Sequence, residues 1–337
     1  MDIKELGESG LIQRIADIYR SSDSSVIAGI GDDAAALKVS GHNILLTTSD
    51  ILLEDVHFNL SFTDSYHLGR KALAVNLSDI AAMGGTPRFF VVSLALPAHI
   101  SVSFIDDLYR GIMDLASEFS TILVGGDTNA SPEKLMIALT VLGEVHPDHL
   151  LMRSGAQVGD SIFVTGTIGD AALGLMNLQT DPTATARSPV SGLVAKHLSP
   201  FPRVKEGKVL SGNGLASSLI DISDGLLTDL KRILTASGKG ATVWIEKLPL
   251  SSEFKQAETP HHCNKIEYAL TGGEDYELLF TCPPSKETQL SQAASKAEFT
   301  ITKIGTVTDS QELVVLDQNE QPYPLGKLGY DHFLSKK

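Results

Sequence analysis

The sequence predicts an α/β or α+β protein of two domains, and three observations support this. At roughly 150 residues per domain, a chain of 337 residues is long enough for about two. Hydrophobic residues make up 42% and charged residues 20%, which are ordinary values for a protein with a packed core. Short apolar runs alternate with helical patterns in both halves. Since the polar stretch 146–160 separates these halves, we predict domains over 1–147 and 148–337.

The first half begins with a predicted helix and continues with alternating strands and helices. The residues that share one face of this helix are Leu11, Ile12, Ile15, Ile18 and Tyr19. Further helices are predicted over 66–83 and 103–119, and the first of them is capped by Gly84 and Gly85. Strands are predicted over 44–50, 89–97, 121–128 and 135–145. We expect Asp50 to end the first of these strands, and the strand over 121–128 to be buried.

The second half repeats this alternation. Strand, turn and helix follow one another in SIFVTGTIGDAALGL and again over 218–234. The runs ATVWIE, YELLFTC and FTITKIGTV predict three more strands, with a helix over 286–297 between the last two. The polar segments 179–192 and 251–264 predict loops.

Charge and cysteine content exclude several classes of protein. With 41 acidic and 27 basic residues the net charge is −14, which argues against nucleic-acid binding. No run approaches the roughly 18 apolar residues of a membrane span, and the first ten residues do not resemble a signal peptide. Cys263 and Cys282 form no CxxC pair, so we expect reduced thiols and a cytoplasmic protein.

Four predicted turns combine aspartate with glycine, serine or threonine. They are GIGDD (29–33), TTSD (47–50), GGDT (125–128) and ISDG (222–225). Because the carboxyl ends of strands gather at one edge of an α/β sheet, we expect Asp50, Asp127 and Asp224 to lie at such edges. Asp79 joins them from a predicted helix, where it shares a face with Asn76.

Clustered aspartates point to a magnesium site. Two carboxylates 4 Å apart repel by about 4 kcal/mol at an effective dielectric constant near 20, so several together require cations between them. Hard oxygen ligands without histidine or cysteine favour Mg²⁺, which usually joins one or two carboxylates to phosphate oxygens. Glycines in the same turns allow backbone N–H groups to approach phosphates closely. The sequence therefore predicts a Mg²⁺-dependent phosphate site.

Two familiar phosphate motifs do not explain the chain. It contains no GxxxxGK[ST] motif, so it is not a P-loop protein. GIGDDA (29–34) satisfies GxGxxA, but no strong strand precedes it. Asp32 and Asp33 would also repel a pyrophosphate placed directly on this turn.

At these motifs the sequence resembles the thiamine-monophosphate kinases. The segments that carry the resemblance, in family order, are GIGDDAAAL, TTSDILLEDVHF, KALAVNLSDIAAMGGTP, GGDT, RSGAQVGD, VTGTIGDAALGL, IDISDGLLTDL, GGEDYELLF and GYDHF. GIGDD and GGDT are shared with a wider superfamily that includes aminoimidazole ribonucleotide synthetase and selenophosphate synthetase. VHF, GGEDYELLF and GYDHF are more specific to the kinases.

The resemblance implies a two-domain PurM-like fold, with N-terminal strands that pair across a homodimer. It also implies ATP-dependent phosphorylation of thiamine monophosphate to the diphosphate with several Mg²⁺ ions. Matched positions for metal ligands are Asp33, Thr48, Ser49, Asp50, Asp79, Asp127, Asp221 and Asp224. Matched positions for ATP are Tyr109, Gly126, Asp127, Arg153 and Ser223, and those for the acceptor are His57, Glu274 and Tyr330.

Two residues depart from the family pattern. Asp55 stands where a small residue is expected before VHF, which adds negative charge near the acceptor. Ser49 stands where threonine is commoner, a change with little expected effect.

The implied chemistry requires no general base. The second pKa of a phosphate monoester is about 6, so the attacking oxygen is already anionic at pH 7. Positioning and charge neutralisation carry such transfers. Two alternatives stay open on the sequence: another ATP-using superfamily member such as a ribonucleotide cyclo-ligase, and a Mg²⁺-nucleotide-binding regulator without turnover.

Overall fold

A computed structural model describes residues 24–39, 41–183, 191–259 and 264–324, together with seven single residues. These are Gly10, Ile12, Gln13, Asp17, Gly326, Gly329 and Tyr330. Most of the helix predicted over 11–19 lies outside the described residues, as does Cys263. Cys282 is a buried free thiol.

Six strands of the first half form one sheet in the order β1-β2-β3-β6-β4-β5. The strands are β1 Val26–Ala28, β2 Ala35–Lys38, β3 Ile44–Leu53, β4 Thr86–Pro97, β5 Ile122–Ser131 and β6 Met136–Val145. Neighbouring strands are antiparallel except for the parallel pair β4 and β5. Helices α1 Ser65–Ala82 and α2 Val102–Glu118 pack against each other.

A second sheet of six strands forms in the second half, in the order β12-β9-β11-β7-β10-β8. Its strands are β7 Ser161–Thr165, β8 Ser218–Asp221, β9 Gly240–Trp244, β10 Leu278–Cys282, β11 Ile301–Thr308 and β12 Leu313–Leu316. Only β9 and β12 pair in parallel. The helices are α3 Asp170–Thr180, α4 Gly192–Leu198, α5 Val204–Gly212, α6 Leu226–Ser237, α7 Ser252–Gln256, α8 Lys265–Thr271 and α9 Glu287–Lys296.

Helix α1 lies between the two halves of the molecule. Asp64 caps its N-terminus with a side chain that accepts a hydrogen bond from the His67 N–H, and 14 of the 18 helical residues are buried. Gly207 of α5 lies so close to this helix that a Cβ atom there would be 2.2 Å from the Ala81 carbonyl oxygen. One hydrophobic cluster continues from Leu77 of this helix to Phe280 of β10. A polar residue on α1 is therefore held at the junction of the halves.

Three details of the predicted strands are wrong. Asp50 does not end its strand, because β3 continues to Leu53. The strand predicted over 121–128 is an exposed edge strand rather than a buried one, and its apolar Ile122 and Val124 are more than half exposed. Most strands are antiparallel, so their carboxyl ends do not gather at one edge as the sequence argument assumed.

The polar segment 251–264 contains the short helix α7, and part of it lies outside the described residues. Among the described residues, none of the helices has the length and apolar composition needed to span a lipid bilayer.

Candidate active site

A cavity of about 860 Å³ opens where the two halves meet. One wall comes from β3, the segment 55–59 and α1 of the first half. The opposite wall comes from the turn 221–224, the loop 272–276 and helices α3 and α8 of the second half. Pockets between domains are common sites for small molecules.

Three aspartates from distant parts of the chain converge at the edge of the cavity, and two of them line it. Asp33 comes from the turn after β1, Asp79 from α1 and Asp221 from the end of β8. One carboxylate oxygen of each lies within 4.8 Å of the others. Asp79 and Asp221 line the cavity, and Asp50 and Asp224 line it beside them. An acidic cluster therefore forms, from a turn, from helix α1 and from one strand end, and Asp127 does not belong to it.

Hydroxyl groups fix two of these carboxylates. The Thr48 Oγ1 atom donates to Asp79 Oδ2 at 2.5 Å, and the Ser78 Oγ atom donates to Asp221 Oδ2 at 2.6 Å. Successive side chains of a strand point to opposite faces. Thr48 and Asp50 therefore share the face covered by α1, where the Asp50 N–H donates to Asn76 Oδ1 at 3.1 Å.

Burial and mutual repulsion raise the pKa values of the clustered aspartates. Burial raises the pKa of Asp79 well above its ordinary value, and Asp50 adds to the shift. Burial followed by the charge of Asp33 does the same for Asp221. Burial, with the charges of Asp224 and Asp33, raises the pKa of Asp50 to about 6. Carboxylates in this arrangement fit a hard divalent cation, which would favour their ionised forms.

Arg153 connects the second half to this cluster. Its Nε and Nη2 atoms each donate to a different oxygen of Asp33, both at 3.0 Å. Its Nη1 atom donates to the Gly31 carbonyl at 3.2 Å. Two parallel bonds from a guanidinium fix a carboxylate in orientation as well as in position.

Two residues that the sequence analysis missed hold the acidic turn 222–225. Asp229 of α6 accepts hydrogen bonds from the backbone N–H groups of Ser223, Asp224 and Gly225, at 3.1, 3.0 and 3.2 Å. Arg232 donates to Asp229 at 2.6 Å and to Asp224 at 2.5 Å. The sequence signal for this pair is an aspartate and an arginine three residues apart on a predicted helix, which places them on the same face.

All three residues predicted to contact the acceptor line the cavity: His57, Glu274 and Tyr330. The Leu53 N–H donates to His57 Nδ1 at 3.0 Å, so the neutral ring carries its proton on Nε2. Tyr330 is placed by a backbone hydrogen bond from its N–H to the Asp224 carbonyl at 3.1 Å.

Glu274 has two polar partners that the sequence analysis did not anticipate. Its Oε1 atom lies 2.7 Å from the Lys71 Nζ atom, and its Oε2 atom lies 3.0 Å from the His197 Nδ1 atom. Burial by itself raises the pKa of Glu274, but Lys71 and His197 outweigh it and hold this pKa well below its ordinary value.

Asp55 also lines the cavity and has a left-handed backbone, with a φ of 65°. Its carboxylate pairs with Lys134 and accepts a hydrogen bond from the Asn59 Nδ2 atom at 3.1 Å. The extra negative charge noted in the sequence is therefore partly compensated.

The remaining predicted site residues do not lie in the cavity of this chain. Ser49 is exposed on the opposite face of β3, where its Oγ atom contacts the Leu139 carbonyl and Thr140. Tyr109 is half-buried on α2.

Gly126 and Asp127 are exposed on β5. Asp50 of β3 pairs with Leu139 of β6, Leu139 pairs with Val92 of β4, and Val92 pairs with Gly126 of β5. Three strand spacings of about 4.8 Å therefore separate β3 from β5. A Cβ atom at Gly126 would lie 1.9 Å from the Val92 carbonyl oxygen, so only glycine fits there.

The chain matches two family models with known descriptions. AIR synthase related protein, N-terminal domain, matches residues 31–145, and AIR synthase related protein, C-terminal domain, matches residues 157–318. Among curated relatives, the thiamine-monophosphate kinase of Escherichia coli O157:H7 is 39% identical over 327 residues, which cover 97% of this chain and 98% of the relative. That of Bacillus subtilis is 40% identical over 314 residues, covering 92% and 94%.

A solved structure has a closely similar fold. It is described as AaThiL complexed with AMPPCP and TMP, and it is 35% identical with a TM-score of 0.84. The match covers 98% of this chain and 99% of that one. Near full-length coverage at this identity leaves no large segment of either chain unmatched. This chain therefore belongs to the thiamine-monophosphate kinase family, among the AIR synthase related proteins.

Proposed function

We propose that this chain transfers the γ-phosphoryl group of ATP to the phosphate of thiamine monophosphate and so forms thiamine diphosphate. The observation that carries the proposal is one cavity with two chemically different parts. Asp79, Asp221 and Asp224 provide an acidic part, and His57 and Glu274 provide a part suited to the acceptor. The similar structure, 35% identical, is described as a complex with AMPPCP and TMP, which supports the same pair of substrates here.

Magnesium fits the acidic part. The convergence of Asp33, Asp79 and Asp221 within 4.8 Å supplies oxygen donors only, which suits Mg²⁺ rather than a softer metal. We assign further ligand positions beside this cluster to Thr48, Asp50 and Asp224, and we assign Ser49 and Asp127, which lie outside the cavity of this chain, to a separate Mg²⁺ ion. Mg²⁺ held by these residues would neutralise the charges of the ATP triphosphate and the acceptor phosphate, which otherwise repel each other.

The side chains of this chain then bind and orient the two substrates. Arg153 and Ser223, with Tyr109, Gly126 and Asp127, are assigned to the nucleotide. The His57 Nε2–H, fixed by the Leu53 hydrogen bond to Nδ1, donates to the acceptor phosphate. Glu274 and the ring of Tyr330 suit the cationic thiazolium. Holding both phosphates in line supplies the rate enhancement, and no side chain removes a proton from the attacking oxygen.

The assembly inferred from the sequence is a homodimer, and the first sheet supports it. Four exposed apolar side chains lie on the sheet surface that α1 and α2 leave open: Ile51, Phe89, Ile122 and Val124. An apolar sheet surface with an edge strand is a typical contact between subunits. We infer that the nucleotide contacts of Tyr109, Gly126 and Asp127 are completed in this dimer.

The variant Val124→Lys tests this inference. It should sediment as a monomer and should have a raised KM for ATP.

Two further inferences concern organisation and location. The boundary inferred at 147/148 coincides with the short 3₁₀ helix Pro147–His149, between the two family matches. We infer a cytoplasmic location from the cysteine pattern, which favours reduced thiols.

Incubation with ATP, Mg²⁺ and thiamine monophosphate tests the proposed function. We expect thiamine diphosphate and ADP in equal amounts, and none of either when EDTA is present. Unphosphorylated thiamine is the control acceptor and should yield no ADP. ATP binding without turnover would support the regulator instead, and ADP formation only with a different acceptor would support another superfamily activity.

A further inference from the structure

We propose that Lys71 and His197 are positioning residues, which hold the Glu274 carboxylate as a fixed anion in the cavity wall toward the cationic ring of the acceptor. This proposal rests on the proposed function and adds two residues to its recognition of the acceptor. The three side chains come from separate elements: Lys71 from α1, His197 from α4, and Glu274 from the loop between α8 and β10.

Lys71 is buried in a way that requires a counter-ion. It is 1% exposed and is among the largest fully buried side chains of the described residues. A buried ammonium group is stable only when it is paired. Its Nζ atom forms an ion pair with Glu274 Oε1 at 2.7 Å, and no hydrogen bond of good geometry is found for this atom among the described residues. Lys71 therefore acts as the counter-ion of Glu274.

His197 approaches the other oxygen of the same carboxylate and is 3% exposed. Burial first, and then the Lys71 ammonium, lower the pKa of His197, so its ring is neutral at pH 7. The His197 Nδ1 atom lies 3.0 Å from Glu274 Oε2 without the alignment of a hydrogen bond; since a carboxylate can only accept, the tautomer with Nδ1–H is the one that makes this contact favourable. His197 therefore orients the carboxylate without cancelling its charge.

The backbone also fixes Glu274. Its φ is 67°, a left-handed conformation that a glutamate adopts only when its surroundings impose it. Its N–H donates to the Ser223 carbonyl at 2.8 Å, which ties this loop to the acidic turn. The carboxylate is therefore held at a set distance from the acidic part of the cavity.

A second buried carboxylate in the same region shows what a structural ion pair looks like. Glu277 is fully buried, does not line the cavity, and contacts two cations, Arg203 and Lys196. Glu274 lines the cavity, keeps 24% of its side chain exposed, and has one cation and one neutral ring as partners. This arrangement leaves the Glu274 carboxylate able to attract a further positive charge.

Paired variants test the proposal. His197→Leu removes the Nδ1 donor, whereas His197→Asn keeps a donor near that position. Lys71→Met removes the counter-ion, and Lys71→Arg keeps it. The matched control is Lys196→Met, which removes the ion pair of the neighbouring residue on the same helix at 3.1 Å from Glu277.

We expect His197→Leu to raise KM for thiamine monophosphate about tenfold, the effect of one lost polar contact, with KM for ATP changed less than about twofold. His197→Asn should have a KM for thiamine monophosphate close to that of the wild type. Lys71→Arg should likewise have a lower KM for thiamine monophosphate than Lys71→Met. Lys196→Met should match the wild type. If Lys71→Met fails to fold, the His197 pair decides alone.

Calorimetry with thiamine separates this proposal from the proposed function, because thiamine carries the cationic ring without a phosphate. Its affinity should fall about tenfold in His197→Leu even if wild-type turnover is never observed. Unchanged thiamine affinity in His197→Leu, or equal increases in KM for both substrates, would overturn the positioning role.

Discussion

The guanidinium of Arg153 and the carboxylate of Asp33 form a two-hydrogen-bond ion pair that joins the second half of the chain to the turn after β1. Both donor–acceptor distances are 3.0 Å, the Asp33 side chain is fully buried, and that of Arg153 is 17% exposed. Asp33 also belongs to the acidic cluster. Arg153 therefore provides a positive charge beside carboxylates that repel one another.

Arg153→Gln should destabilise the protein when Mg²⁺ is absent, since it leaves a buried carboxylate without its counter-ion. Breaking a buried pair from one side costs about 3 kcal/mol. Added Mg²⁺ should recover a large part of this loss by replacing the missing positive charge. Thermal unfolding with and without Mg²⁺ measures both effects. The control is Arg110→Gln, which breaks an exposed pair with Asp107 and should change stability little. An equal Mg²⁺ shift of Tm in wild type and Arg153→Gln would contradict this account.

Asp50→Asn should lower kcat/KM about a hundredfold at limiting Mg²⁺ while the protein stays folded, because one anionic ligand is lost. Asp50 lies beside Asp224 and Asp33, whose charges contribute to raising its pKa to about 6. Asparagine removes this repulsion, so Tm without Mg²⁺ should be unchanged or higher. Asp148→Asn, at an 86% exposed side chain, is the control. Wild-type turnover of Asp50→Asn at limiting Mg²⁺ would refute the metal role.

Magnesium binding should release protons and strengthen as the pH rises. The folded-state pKa values of Asp79 and Asp221 are raised, so their protonated forms favour the fold without metal. Their stabilising contribution is complete below the unfolded pKa of about 3.9 and is lost as pH rises through the raised values. Mg²⁺ binds the ionised forms, so its stabilisation of the fold should be greater at pH 8 than at pH 5.5. Calorimetry in buffers of different ionisation enthalpy measures the protons released, and a release of none would be inconsistent with these shifts.

The backbone at Asp55 predicts a difference between two substitutions that remove the same charge. Its φ of 65° suits glycine, is tolerated by aspartate and is unfavourable for alanine. Both Asp55→Gly and Asp55→Ala lose the exposed ion pair with Lys134, which contributes little. Asp55→Ala should therefore be less stable than Asp55→Gly by about 1 kcal/mol in chemical denaturation. Equal stability of the two variants would show that the left-handed backbone is not retained in solution.

The sequence predicted the helices and strands of the core well, because their apolar periodicity is strong. The resemblance carried over Asp33, Asp79 and Asp221, which do meet, but the argument from strand ends also grouped Asp127 with Asp50 and Asp224, and Asp127 lies on the exposed edge strand β5. The sequence misjudged the edge strand β5, because an exposed apolar strand such as 121–124 reads like a buried one when the neighbouring surface is unknown.

The partners of the site residues could not be predicted from the sequence. Lys71 and Glu274 are separated by about two hundred positions, and no local pattern connects them. The same holds for Arg153 and Asp33, which meet only after the two halves are packed together. Local motifs identify residue types suited to a chemistry, whereas ion pairs between distant elements depend on the tertiary fold.

His57→Asn should raise KM for thiamine monophosphate about tenfold while KM for ATP stays within about twofold, because one hydrogen bond to the acceptor phosphate is lost. Asparagine is preferred to alanine here, since its side-chain oxygen can still accept the hydrogen bond from the Leu53 N–H that now reaches His57 Nδ1. What it lacks is the Nε2–H that faces the acceptor in the proposed site. Asp127→Ala provides the opposite case and should raise KM for ATP instead, through the lost metal ligand. Steady-state kinetics with each substrate varied in turn distinguish the two patterns, and a His57→Asn variant that weakens both substrates equally would show that this site assignment is wrong.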